Sequence, residues 1–157
     1  MKKVLICVFF FCSSVCLAKV PAINEVRLMF HKATLDEDAC KDLINLLMPF
    51  DEINNPLLFG YKGSAIMMMA KHVFNPFSKL SYFKKGKNIL ESAIQADQKN
   101  VELRFLRYTI QTNIPSFLNY DNNVESDKAF LTKSLSKLND MKLKKIISSY
   151  LKNSNTA

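Results

Sequence analysis

Two Asn-Pro pairs, Asn55-Pro56 and Asn75-Pro76, constrain this chain more than any other feature. A proline ring presets φ near the helical value and lacks the N–H that a first turn leaves unpaired. The Asn before it can accept from that turn through its side chain. Each pair predicts a helix start, and each precedes a run with apolar spacings of three and four. One run covers about Pro56 to His72 and the other Pro76 to Asp97. Turn-forming residues are otherwise scarce. The chain has 3 Gly and 5 Pro in 157 residues, too few for an all-β sandwich, which needs a turn about every 8–12 residues. At 48% apolar, it has enough hydrophobic material to offset the entropy of ordering. One all-α domain of about six to seven helices is expected.

The remaining helices are read from caps and periods. Pro21 opens a first helix, with Ile23, Val26, Phe30 and Ala33 on one face. Thr34-Leu35-Asp36-Glu37 has the pattern of a capping box for a second, whose stripe is Cys40, Leu43, Ile44 and Leu47. The third carries small residues at Gly60, Gly63, Ser64, Ala65 and Ala70, which permit close helix approach. Met67, Met68 and Met69 point about 100° apart, so they read as core filler rather than a ligand stripe. In the fourth, Tyr82, Gly86, Ile89, Ala93 and Ala96 form an apolar row widened by Phe83, Leu90 and Ile94. Gly86 is expected at a helix crossing. Asn100 caps a fifth helix containing Leu103, Leu106 and Ile110; residues 101–105 alternate like a strand, but no partner strand is evident. After a loop ending near Asn122, residues 123–138 and 141–151 read as two Lys-rich amphipathic helices. The domain is expected over 19–152, with 153–157 a disordered tail.

The first eighteen residues read as an address. Lys2 and Lys3 precede an apolar run from Val4 to Phe11, and Cys16-Leu17-Ala18 places small residues at the −3 and −1 positions of a cleavage site. The run is far shorter than the roughly 20 residues of a spanning helix. Export with cleavage after Ala18, to the periplasm or the medium, is the expectation. A lipoprotein anchored at Cys16 fits less well, because Val15 stands where a small residue is expected. Cleavage would remove Cys7, Cys12 and Cys16, leave Cys40 alone, and so preclude an intramolecular disulfide in the remaining 139 residues.

The stretch Leu90-Glu91-Ser92-Ala93-Ile94-Gln95-Ala96-Asp97-Gln98-Lys99-Asn100 resembles the end of a tetratricopeptide (TPR) repeat. Ala93, Asp97 and Asn100 match that motif, and Gln98 stands where proline is usual. More widely, residues 56–120 are similar to a family of small exported bacterial proteins with a TPR-like fold and no assigned reaction. Gly60-Tyr61-Lys62-Gly63-Ser64-Ala65, Ala70-Lys71-His72-Val73-Phe74-Asn75-Pro76 and Glu102-Leu103-Arg104-Phe105-Leu106-Arg107-Tyr108 are among the carriers. The resemblance implies a right-handed stack of antiparallel helix pairs and a partner-binding role, and it brings no catalytic residues.

Side-chain chemistry points away from catalysis. His31 and His72 have no H-x-x-x-H or C-x-x-C companion spacing, so neither a metal nor another cofactor is expected. G-x-S-x-G, P-loop and dinucleotide fingerprints are absent. Cys40 lies on an apolar stripe, where inert burial outweighs pairing with His72. Charge, by contrast, is lopsided. Residues 19–75 carry a net −1, from 6 basic and 7 acidic side chains, and residues 76–157 a net +7, from 14 and 7. In an exported protein such a basic half suits a protein partner or an anionic envelope surface rather than nucleic acid. A solvated face serving solubility is the plainer reading. The residues expected to meet a partner are Lys84, Lys85 and Lys87 of the fourth helix and Arg104 and Arg107 of the fifth. A short turn separates the two helices, so both basic rows are expected along one groove.

Overall fold

The computed structural model describes residues 19–153. The expected signal peptide, its cleavage site and residues 154–157 of the expected tail lie outside the described residues. Seven α-helices follow in order: α1 (Ile23–Ala33), α2 (Glu37–Leu47), α3 (Pro56–His72), α4 (Pro76–Ala96), α5 (Val101–Gln111), α6 (Val124–Ser134) and α7 (Met141–Asn153). Short 3-10 turns occupy Ser116–Leu118 and Leu135–Lys137. Among the described residues there is no strand, and the chain is all-α, its helices packed on one another in sequence.

The Asn caps form as their chemistry dictates. The Asn55 side chain accepts from the Leu58 N–H at 3.0 Å, and that of Asn75 from Phe77 and Ser78 at 2.8 and 3.3 Å. Asn100 accepts from Glu102 and Leu103, both at 3.1 Å, which settles residues 101–105 as helix. The expected capping box at Thr34 does not form. Thr34 closes α1 instead, its hydroxyl donating to the His31 carbonyl at 2.7 Å, and Asp36 caps α2 by accepting from Ala39 at 2.6 Å. With the Thr34 backbone amide and hydroxyl both turned to the last turn of α1, the next acidic residue takes the cap. α1 likewise starts at Ile23 behind Ala22, leaving Pro21 outside the helix.

α3 is the centre of the fold. Every residue from Gly60 to Met69 is buried, because α3 packs against α1, α2, α4 and α5. Met67, Met68 and Met69 fill this core. The α3–α4 pair is antiparallel and close. A Cβ on Gly86 would lie 2.6 Å from the Met67 backbone nitrogen, and one on Gly63 would lie 2.8 Å from the Gly86 carbonyl oxygen. Gly86 therefore sits at a crossing, as its place in the row suggests. The buried face of α4 is Phe83, Gly86, Leu90, Ala93 and Ile94, whereas Ala96 is exposed and Tyr82 and Ile89 are only half-buried. A second core joins Phe105 and Tyr108 of α5 to Leu131, Leu143, Ile147 and Leu151. α5 thus faces both clusters and ties the two ends of the chain together.

Candidate functional site

The five basic residues expected to border one groove divide sharply. Lys84 and Lys85 stand exposed on α4. Lys87 folds back, its ammonium 4.6 Å from the centre of the Tyr120 ring. Arg107 is 6% exposed. Its Nε and Nη2 donate to the two carboxylate oxygens of Asp127 at 2.7 and 2.9 Å, and its Nη1 donates to Glu91 at 2.8 Å. Arg104 also donates to Asp127 and stacks 4.7 Å over the Phe130 ring. The arginines are thereby engaged inside the fold, where they join α5 to α4 and α6. Neighbouring carboxylates outweigh the opposing cost of burial and hold the Arg107 charge more firmly than in water. Asp127, fully buried on α6, is the partner that sequence reasoning did not supply. Its nearest sequence signal is an acidic residue in the first turn of α6, which looks like an ordinary dipole charge.

A second buried carboxylate, Glu102, organises the opposite side of α5. Arg27 of α1 grips it with two hydrogen bonds of 2.6 and 2.7 Å, and the Tyr61 hydroxyl donates to it at 2.6 Å. Arg27 also reaches Asp140 at 2.8 Å. The hydrogen bond from Arg27 to Glu102 raises the guanidinium pKa against the pull of desolvation. Burial, with Glu102 beside it, pushes the Tyr61 phenol well above its ordinary value. Tyr120, donating to Glu91, is raised in the same way.

Three further groups with reactive chemistry are tied down as well, whereas His31 stands exposed in the last turn of α1. Cys40 is buried, its thiol donating to the Ala65 carbonyl at 3.3 Å, and burial raises it to about 11. His72 Nε2 lies 3.0 Å from the Ala33 carbonyl. Lys62 donates to the Met48 and Phe50 carbonyls at the end of α2, and burial lowers its pKa. Among the described residues no three or more His, Cys, Asp or Glu side chains gather as metal ligands would.

What the surface offers is a shallow cleft between α5, α6 and the turn before α7. Val101, Phe130, Lys133, Ser134, Lys137 and Leu138 line a space of about 300 Å³. A second space of about 330 Å³ shares Val101 and Leu138 with the first, and extends along Ile23, Leu57 and Leu143 past the Arg27–Glu102 pair. The cleft was not legible in the sequence. Phe130, Lys133, Ser134 and Lys137 have the spacing of one helix face, but Val101 and Leu138 meet them only through packing. No known family model, curated protein or solved structure matches the chain.

Proposed function

We propose that this chain is an exported, non-enzymatic protein with a TPR-like stack of helix pairs, and that it binds an extended, acidic segment of a protein partner. The observation that carries the reading is the joined cleft across Val101 and Leu138. Its floor is apolar, and Lys133 and Lys137 stand on its rim without an ion pair among the described residues. The two carboxylates along it, Glu102 and Asp140, both pair with Arg27, so the trio leaves one net negative charge against the two lysines. An incoming acidic side chain therefore meets free ammonium groups and no unpaired carboxylate lining the cleft. The engagement of Asp127, Glu91, Glu102, Cys40, His72 and Lys62 in structural contacts supports a binding role over a catalytic one.

The test places a photo-cross-linker at Ser134 and compares the wild-type protein with a Lys133→Glu, Lys137→Glu variant in envelope extract. The expected result is one cross-linked protein whose attachment point lies in an acidic segment, lost on charge reversal. Undiminished capture of the same protein by the variant refutes the cleft. A second reading is attachment of the basic half to an anionic envelope surface, lipid or glycan. It draws support from Lys79, Lys84 and Lys85, exposed on α4 and without an ion pair among the described residues. Steep loss of envelope attachment with salt marks that reading, since exposed charges are screened within about 10 Å at 0.1 M salt.

A further inference from the structure

The turn between α3 and α4 carries two aromatic side chains with almost no neighbours. Phe74 is 97% exposed and Phe77 84% exposed, followed on α4 by half-open Leu80. Side chains of this size favour an apolar environment, so two this bare at one place offer a surface for something to meet. The exposure is also a statement of shape. The aromatic rings project from the turn, and neither lines the cleft along α5 and α6.

Charge is arranged around the same turn. From Pro76 to Leu90, α4 has no acidic residue and carries Lys79, Lys84, Lys85 and Lys87. Phe77, Leu80 and Lys84 are spaced three and four apart, so the exposed stripe of α4 begins apolar and continues basic. Lys71, at the end of α3, stands on the other side of the turn. The α1–α2 turn, with Leu35 82% exposed, lies at the same end, since His72 Nε2 meets the Ala33 carbonyl at 3.0 Å. Three carboxylates stand near that turn, two of them sharing one lysine. Glu37 and Asp38 pair with Lys41 at 2.8 and 3.5 Å, and Asp36 caps α2.

From this we propose that the α3–α4 turn is a membrane-docking tip: Phe74 and Phe77 insert at the edge of the hydrocarbon of an anionic bilayer, and Lys71, Lys79, Lys84 and Lys85 meet its headgroups. This deepens the second reading above and shares no residue with the cleft. A bilayer fits better than a peptide because a projecting apolar tip offers a chain nothing to lie in, whereas a bilayer interface closes around it. The lysines supply the lipid selectivity. Attachment is peripheral, as no helix among the described residues is long and apolar enough to cross a membrane.

The experiment uses flotation with vesicles of phosphatidylcholine alone or mixed with phosphatidylglycerol. All proteins carry the same chain outside the substituted positions, so residues 1–18 contribute equally to each. The wild type is expected to float with the anionic vesicles and less with the neutral ones. Phe74→Ser with Phe77→Ser should weaken partitioning at least about tenfold, with melting unchanged because both side chains are exposed. Lys84→Gln with Lys85→Gln should weaken it on the order of fivefold per lysine at low salt. The chain has no Trp, so a Phe77→Trp variant reports insertion directly through a blue shift and quenching by lipid brominated in its acyl chains. Undiminished binding by the serine pair, or an unshifted tryptophan in the presence of bound vesicles, overturns the tip while leaving lysine-driven attachment standing. Equal binding to both vesicle types, or none to either, overturns both, and an association seen only with an acidic peptide assigns the surface to a protein instead.

Discussion

Replacing Gly86 with Ala tests the packing on which the whole stack rests. The added methyl would sit 2.6 Å from both the backbone nitrogen and the Cγ of Met67, with the Gly63 carbonyl closer still. Two of these obstacles are backbone on the facing helix, so no rotamer change relieves them and α3 and α4 must part. Helix propensity pulls the other way, favouring Ala over Gly by roughly 1 kcal/mol. Overpacking of a well-packed contact costs about 1–3 kcal/mol, and here the separation also weakens contacts around Ile89 and Leu90. The net expectation is a destabilisation of about 1–2 kcal/mol, or a fall in Tm of roughly 3–8 °C for a domain of this size. Gly60→Ala is the control. Its methyl would meet chiefly the Leu103 Cδ2, the far end of a side chain that can rotate, so its cost should be smaller. Gly63→Ala combined with Gly86→Ala should cost less than the sum of the two, because the first separation makes room for the second methyl. Urea unfolding followed by circular dichroism measures all four. A Gly86→Ala variant more stable than the wild type would refute the crossing, since propensity alone would then govern that position.

Three further outcomes follow from the buried groups. Asp127→Ala leaves Arg104 and Arg107 without their shared counter-charge and should cost about 3–5 kcal/mol, measured by the same unfolding assay; a loss below about 1 kcal/mol would show that water replaces the carboxylate. Cys40, buried and raised to about 11, should react with iodoacetamide at mildly alkaline pH only at the rate of unfolding, and labelling at the rate of a free thiol would contradict its burial. Tyr61 and Tyr120 have pKa values raised above that of an unfolded tyrosine, by burial and by Glu102 and Glu91 respectively. Their contribution to stability is therefore complete below about pH 10 and lost as pH rises beyond it, when the unfolded phenols ionise and the folded ones do not. Phenolate absorbance should show both silent until the chain unfolds, and early titration of either would break the assignment.

Polar side chains divide by how far along the chain their partners lie. Asn55, Asn75 and Asn100 cap helices because the partner amides lie two or three residues away, so local spacing suffices to place them. Thr34 departs from its capping-box pattern for the same local reason: its hydroxyl has two helix ends within reach, and the closing turn of α1 takes it. Arg104 and Arg107 share a helix side in any register, yet whether that side faces solvent depends on Asp127, twenty or more residues on.

The sequence by itself determined the all-α class, the starts of α3, α4 and α5, and the glycine at the helix crossing. Each follows from backbone preferences and spacings that act within a turn or two. Only the tertiary structure decided which charges are buried, where the cleft opens and which aromatics stay bare. Phe83 and Phe77 belong to one helix and have the same side chain, and the first is 7% exposed while the second is 84% exposed. The difference is that Phe83 faces Tyr120 in a T-shaped contact at 6.0 Å, whereas Phe77 lies in the first turn of α4, where no other helix among the described residues covers it.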